Sequence, residues 1–312
     1  MTLRVDPADL HFPACDVCDG SDFEMLSDLR SPRMINFKGG IAICRDCGFV
    51  TMRPRPAGAT YARINDIWFS ETFDTDDPEK SDATKKFRKW ELMWKRIGTV
   101  YPGGPRHLLD VGAGQGWAIE YLKTLYPSMP ATAIERWAPC ADYIRSRLVS
   151  EVVDLEPSGD WPADFAGKFD LVIFRHTLEH LNDPIRALRN IAGVLSPNGA
   201  AYIVVPNAER VRVGTAMRTD FFRPVHLHYF NEHTLRRLAA RAGLRARLFA
   251  AESELWGLFE RSGADAGAPV NTYANQSALL KARLMESQWR DRKAIALTRL
   301  RQAYRAVRSI GR

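Results

Sequence analysis

His107-Leu-Leu-Asp-Val-Gly-Ala-Gly-Gln-Gly116 is the stretch that decides how this chain folds. Residues 107–111 read as an apolar strand, and Trp117–Tyr126 reads as a helix. Between them lie glycines at 112, 114 and 116. A glycine loop between strand and helix lets backbone N–H groups approach a ligand at the helix N-terminus. A dinucleotide fingerprint would put its third glycine at position 117, where this chain has Trp117. The loop is therefore glycine-rich without being built for a pyrophosphate.

Working outward, strands and helices alternate. Ala131-Thr-Ala-Ile-Glu135 is a short strand ending in an acid, whose carboxylate can accept both hydroxyls of a ribose. Glu151-Val-Val-Asp154 is a third strand with a terminal acid. Phe169–Phe174 has the continuous apolar character of a buried strand. Leu195-Ser-Pro-Asn-Gly199 reads as a helix stop, followed by a strand over Ala201–Val205. This alternation predicts an α/β fold around a parallel sheet.

The three glycines preceded by Asp110 resemble motif I of class I S-adenosylmethionine-dependent methyltransferases. The resemblance implies a Rossmann-like sheet with helices on both faces. It also implies a role for each matching residue. Gly112, Gly114 and Gly116 make room for the amino-acid end of the cofactor, and Asp110 favours its ammonium group. Glu135 takes the ribose hydroxyls, Asp154 approaches the adenine amino group, and His176 at the end of the fourth strand lines the pocket.

The N-terminal region carries a different chemistry. Four of the five cysteines form two pairs, Cys15-Asp-Val-Cys18 and Cys44-Arg-Asp-Cys47, separated by 25 residues. In a reducing compartment, two such pairs read as a tetrahedral thiolate site for one structural zinc ion. Four thiolates leave no open position for water, so catalysis at this metal is not expected. Gly20 and Gly48 are placed to give the knuckles their positive-φ turns, and residues 22–26 and 39–43 supply short strands. Cys140 stands alone in a helical stretch and reads as a small hydrophobe.

His176-Thr-Leu-Glu-His-Leu-Asn-Asp-Pro184 resembles the H-x-L-E-H segment that follows strand four in one large methyltransferase subgroup. His226-Leu-His-Tyr-Phe230, continuing into Asn231-Glu-His-Thr-Leu235, resembles the late loop and helix of that subgroup. A zinc module with Cys-x-x-Cys-Gly and a Pro-x-Pro exit (Pro54, Pro56) also recurs ahead of such domains. The resemblance spans roughly residues 14–255 and implies substrates in bacterial glycan, nucleotide-sugar or natural-product pathways. A narrower likeness is to nucleotide-sugar C-methyltransferases. These use a histidine near the place of His180 and a Tyr-x-Glu-His run whose histidine matches His226. Here that run is Arg223-Pro-Val-His226, and the larger C-terminal domain of that family has no counterpart. The departures favour oxygen over carbon as the methylated atom, because a hydroxyl needs only in-line alignment and a base. His226 is the expected general base, His180 the second candidate, and Glu179 a residue that orients a histidine or caps a helix.

The expected function is thus methyl transfer to a hydroxyl of a sugar, nucleotide-sugar or glycan intermediate. Sugar C-methylation, RNA methylation with the zinc module gripping RNA, and a non-catalytic binding protein are the alternatives. Nucleic acid is disfavoured on two grounds. Arg175-His176-Thr177-Leu178 replaces the Asp/Asn-Pro-Pro-aromatic motif of base-amino methyltransferases. The net charge of +7 is also unevenly placed. Residues 277–312 hold ten Lys/Arg and two acids, leaving 34 basic against 35 acidic residues in 1–276. A near-neutral body offers no long phosphate track.

The expected divisions are a zinc-ribbon module at 1–56, a linker with a packing helix at 57–100, a methyltransferase domain at 101–262, a linker at 263–275 and a basic amphipathic tail at 276–312. Phe87, Trp90, Trp94 and Ile97 mark the packing helix, and the acidic residues within 61–80 read as a solvated loop. The tail is suited to an anionic membrane or a protein partner. With no apolar run of 18 residues and no signal-peptide core, the expected location is cytoplasmic, with the tail able to hold the chain at the inner membrane surface.

Overall fold

A computed structural model describes residues 3–29, 35–72, 83–148, 150–212, 214–263, 267–268 and 270–310. In chain order the elements begin with β1 (Phe23–Asp28), β2 (Gly40–Cys44), β3 (Val50–Arg53), α1 (Gly58–Thr72) and α2 (Ala83–Ile97). Then come β4 (Leu108–Val111), α3 (Trp117–Leu125), β5 (Ala131–Ile134), α4 (Ala138–Leu148) and β6 (Glu151–Val153). The second half holds β7 (Phe169–Arg175), α5 (Pro184–Val194), β8 (Leu195–Pro206), β9 (His228–Tyr229) and α6 (Glu232–Arg241). Last are β10 (Leu244–Ala251), β11 (Glu254–Arg261) and α7 (Tyr273–Ile310).

Seven strands form the main sheet in the order β6, β5, β4, β7, β8, β11, β10. The first five are parallel, and β11 runs antiparallel to both its neighbours. The order reverses between β4 and β7, where a crevice opens at the carboxyl ends of the strands. β4 and β5 are buried along their whole length, as a sheet covered on both faces requires. On one face α2 and α3 bury Trp90, Met93, Ile97, Ile119 and Leu122 against Leu108, Leu171 and Tyr202. On the other, α5 and α6 bury Leu188, Ile191, Leu235 and Leu238 against Val172, Phe174 and Ile203. Each large apolar side chain so buried contributes roughly 1.5–3 kcal/mol. Asp183 caps α5 by accepting from the Arg186 N–H at 2.9 Å. Asn231 and Thr234 form a capping box on α6.

Three local readings change. The expected helix stop at 195–199 belongs to β8, whose pairing starts at Leu195 opposite Phe169 and resumes at Ala200 opposite Leu171. Ser196–Gly199 is an irregularity inside the strand, with Pro197 and Asn198 exposed at its tip. The expected loop beginning at residue 61 is helical to Thr72, because Tyr61 and Ile64 give α1 a buried face that its polar surroundings obscure. Asp74, Asp76, Asp77 and Glu79 lie outside the described residues. The third concerns the first knuckle, where the left-handed residue is Asp19 (φ 61°) and not Gly20. Gly20 is small for another reason: a Cβ there would collide with the Asp46 carboxylate and crowd Cys18 Sγ.

The N-terminal strands build a second sheet, in the order β9, β3, β2, β1. Its fourth strand, β9, comes from more than 170 residues downstream, with His228 opposite Thr51 and Tyr229 opposite Val50. Phe49, Cys15, Cys44 and Cys47 belong to the same buried cluster as Phe174, Leu178 and Phe230. Helix α7 also packs here: Tyr273, Ser277 and Lys281 all reach Glu24, and Leu280 and Leu284 are buried.

Candidate active site and cysteine cluster

The glycine loop turns as its sequence demands. Gly112, Gly114 and Gly116 all have positive φ, at 70°, 55° and 69°. A Cβ on Gly112 would strike Thr177, and one on Gly116 would press into Ile144 at 2.7 Å. At Gly114 a Cβ would meet nothing within 4 Å, so this glycine faces open space. Glu135, at the end of β5, accepts from the Gly114 N–H and the Trp137 N–H, both at 2.7 Å. Burial pushes its carboxyl up, against the pull of these donors. Asp110 is buried at the end of β4. Burial, and then the charge of Glu135, push its carboxyl up to about 8. Among the described residues no donor hydrogen-bonds to it. A buried acid without a donor, beside an open glycine, fits a ligand that brings its own cationic donor. Asp154 is placed differently: its side chain is 74% exposed and lies 3.5 Å from Arg136. Cys140, on α4, is pushed up to about 12 by burial and the nearby Glu135, so it stays a thiol.

The segment after β7 begins against this loop. Thr177 Oγ1 donates to the Val111 carbonyl at 3.3 Å and touches the space above Gly112. His176, in the left-handed region at φ 53°, lies between two acids. Its Nδ1 is 3.1 Å from Glu179 Oε1 and its Nε2 is 2.8 Å from Glu254 Oε1. Arg175 donates to the same Glu254 oxygen at 2.8 Å. Burial opposes charge on His176, but these two carboxylates outweigh it and raise its pKa. An imidazole that donates from both nitrogens is an imidazolium. A carboxylate at each nitrogen favours the protonated ring, so His176 is poorly suited to take a proton.

Glu179 is buried, and its Oε2 has no hydrogen-bond partner among the described residues. Burial would raise it, yet the bond and charge of His176 hold it at about 2. Its oxygen and the ring nitrogens of His180 and His226 lie within 4.8 Å of one another. The two rings meet edge to face, 4.8 Å between centroids at 84°. His180 Nδ1 donates to the Val225 carbonyl at 2.7 Å. Burial lowers both histidines, His226 to about 3 with His180 contributing. Both rings are neutral at physiological pH, and Glu179 supplies the countercharge that either would need on protonation. His228 is elsewhere. It stacks on Phe49 at 5.5 Å and bonds the Leu181 carbonyl through Nε2 at 2.8 Å, so it serves the fold.

The cysteines converge. Cys15 and Cys47 sulfurs are 3.6 Å apart, as are those of Cys18 and Cys44, and all four lie within 4.8 Å. Tetrahedral zinc with bonds near 2.3 Å spaces its sulfurs by about 3.8 Å, so the donor set fits. The cluster is tied to the reactive segment. Arg55, 1% exposed, pairs with Asp16 between Cys15 and Cys18, and reaches the Asn182 carbonyl at 3.5 Å. Leu227 N–H donates to the Glu179 carbonyl, and Met52 N–H to the Leu227 carbonyl, both at 2.8 Å. Sequence reading missed Arg55, Asp16 and Glu254. Each is a lone charge in an unremarkable context, brought to the site by sheet register or by the knuckle.

The sequence profile of a family described as "Methyltransferase domain" matches residues 70–247. The chain belongs to this methyltransferase family. S-adenosylmethionine is the methyl donor of this methyltransferase fold. The methyltransferase chain is 26% identical over 187 residues to the ubiquinone biosynthesis O-methyltransferase of Xanthomonas axonopodis, covering 54% of this chain and 74% of that one. It is 33% identical over 108 residues to an uncharacterised Synechococcus protein, across 33% of this chain and only 26% of the other. The solved 1,6-didemethyltoxoflavin-N1-methyltransferase of Burkholderia thailandensis overlays with a TM-score of 0.49 at 20% identity, covering 75% of this chain and 100% of that one.

Proposed function

We propose that this methyltransferase methylates a hydroxyl oxygen of a small, polar, sugar-like acceptor such as a nucleotide sugar or glycan intermediate, with His226 as general base and His180 second. One observation carries the reading. Thr177 rests on Gly112, so the turn bearing Glu179 and His180 starts at the glycine loop, with His226 beside it. In this arrangement Asp110, Gly112, Gly114, Gly116 and Glu135 hold S-adenosylmethionine, His176 closes the strand end beside it, and Asp154 lies toward the adenine side. The donor supplies a methyl carbon already activated by its sulfonium.

The residues of the chain do the rest. They align a hydroxyl with that carbon and remove one proton. The oxygen–carbon bond forms as the carbon–sulfur bond breaks, and the hydroxyl proton passes to His226. Glu179, ionised and desolvated, stabilises the imidazolium that results. His180 keeps its Nδ1 proton on Val225, which fixes the ring against His226. Cys15, Cys18, Cys44 and Cys47 bind a structural zinc ion that plays no chemical part.

The test is methyl transfer from labelled S-adenosylmethionine to a panel of nucleotide sugars and glycan intermediates, with His226→Gln and His180→Gln beside the wild type. Transfer to a sugar hydroxyl, lost in His226→Gln while donor binding persists, is the expected result. Transfer to carbon or to RNA, or undiminished turnover in both variants, would refute it.

A further inference from the structure

Helix α7 spans 38 residues, Tyr273–Ile310, or about 57 Å at 1.5 Å per residue. Its N-terminal turns dock on the body. Gln276, Ser277, Leu280, Leu284 and Ser287 are buried, and Ser287 Oγ accepts from the Met217 N–H at 3.2 Å. An ordinary amphipathic helix would now be accounted for, with its apolar face inward and charges outward. This one has a second apolar face. Met285 is 64% exposed and Trp289 62% exposed, on the side of the helix turned away from Leu280 and Leu284. Lys293 Nζ lies 5.2 Å from the centre of the Trp289 ring, and Leu297, two turns beyond Trp289, is 46% exposed.

The flanks of the stripe are basic on both sides. By helical register Lys281 and Arg292 lie along one shoulder of Met285 and Trp289, and Lys293 along the other, all three exposed. Glu286 is already engaged, with Arg283 at 3.1 Å and Arg290 at 3.5 Å. The sequence of this helix holds nine Lys/Arg and two acids, a net +7 that equals the net charge of the whole protein.

We propose that this outward face of α7 lies on an anionic lipid bilayer. Aromatic and aliphatic residues at the centre of a face, with arginine and lysine on both shoulders, match an acyl–headgroup boundary beneath anionic headgroups. A second copy of the helix would bring two basic shoulders together, so charge argues against self-association through this face. A purely phosphate-bearing polymer would satisfy the arginines and leave Met285 and Trp289 in water. No helix among the described residues is long and apolar enough to cross a membrane, so α7 rests in the surface plane. The occupant is independent of which acceptor is methylated.

The full chain is sedimented with vesicles of two parts phosphatidylcholine to one part phosphatidylglycerol, and with vesicles of phosphatidylcholine alone. Binding should favour the anionic vesicles by at least ~10-fold and weaken with salt. Met285→Ser/Trp289→Ser, at two exposed positions, should keep its circular dichroism and lose at least ~10-fold in binding. Arg292→Glu/Lys293→Glu should lose binding to the anionic vesicles specifically. The proposal is overturned by absent binding to anionic vesicles, by equal binding to both compositions, or by unchanged binding of the serine variant. A dimer in sedimentation velocity that the serine variant dissolves would also overturn it, assigning the face to a second copy.

Discussion

His180 donates its Nδ1 proton to the carbonyl oxygen of Val225, the residue directly before His226. The bond fixes the tautomer, since a carbonyl can only accept, and leaves Nε2 as the nitrogen that takes a proton. It also joins the segment after β7 to the loop before β9. Burial lowers the pKa of both rings, so their neutral, proton-accepting forms persist below 6.5. The acid limb of kcat/KM should therefore fall below the 6.5 of a free imidazole. Glu179→Gln removes a charge that raises both rings and should move the limb further toward acid. His226→Gln should lower kcat by ~10²–10⁴. A limb above 6.5 in the wild type would assign proton removal to another group.

Asp110 gives a prediction at the cofactor. Its carboxyl, raised from 3.8 to about 8 by burial and Glu135, is mostly protonated at neutral pH. A cationic donor group favours the ionised form, so binding S-adenosylmethionine should release a proton between neutrality and pH 8. Affinity should rise with pH and level off above about 8. Calorimetry in buffers of different ionisation enthalpy reads the proton directly. Asp110→Asn should abolish the release, and Asp110→Ala or Glu135→Ala should weaken binding by ~1–3 kcal/mol.

The same residue has a sign for stability. Below 3.8 it is protonated in both the folded and unfolded states; between 3.8 and about 8 only the folded chain keeps the proton. Its contribution is intact below that window and lost as pH rises through it, by up to about 1.4 kcal/mol per pH unit. Urea titrations should find Asp110→Asn gaining on the wild type between pH 5 and pH 8. Parallel curves would contradict the raised pKa.

Metal analysis of purified protein should find one zinc per chain, lost in Cys44→Ser. A metal-free wild type with unchanged folding would end the zinc assignment. Because Arg55 and Leu227 couple the cysteine sheet to Asn182 and Glu179, chelation should lower kcat as well as Tm.

Buried Arg55 pairs with the part-buried Asp16 beside the cysteines. Arg55→Met should cost ~3–5 kcal/mol, because it strands the Asp16 carboxylate. Arg55→Met/Asp16→Asn should recover part of that loss, as measured by urea unfolding. Equal losses in the single and double variants would mean the pair carries no coupling.

The main sheet is legible in the sequence because local signals suffice for it. Leu108–Val111 and Phe169–Phe174 are apolar runs, the three glycines can sit at positive φ, and Glu135 follows directly on its strand. The cysteine pairs are legible for the same reason, as each knuckle is four residues long. Contacts set by register are not. Nothing around Glu254 says that it lies opposite Pro206 and so reaches His176. His176 itself looks like its neighbouring histidines in sequence; only its position between two carboxylates raises its pKa while burial lowers those of His180 and His226. His228 likewise shares a motif with His226, but alternation along β9 turns it toward Phe49 and Leu181.

The sheet order β9, β3, β2, β1 has a consequence for synthesis. The cysteine module leaves the ribosome well before Tyr229, and its sheet lacks an edge strand until that residue has emerged. Its early stretch must wait, with β3 unpaired on one side, while the intervening strands assemble. Closing a loop of that length comes late in folding. A module that reads as a leading domain is therefore completed late, by two residues from far beyond the boundary expected at residue 56.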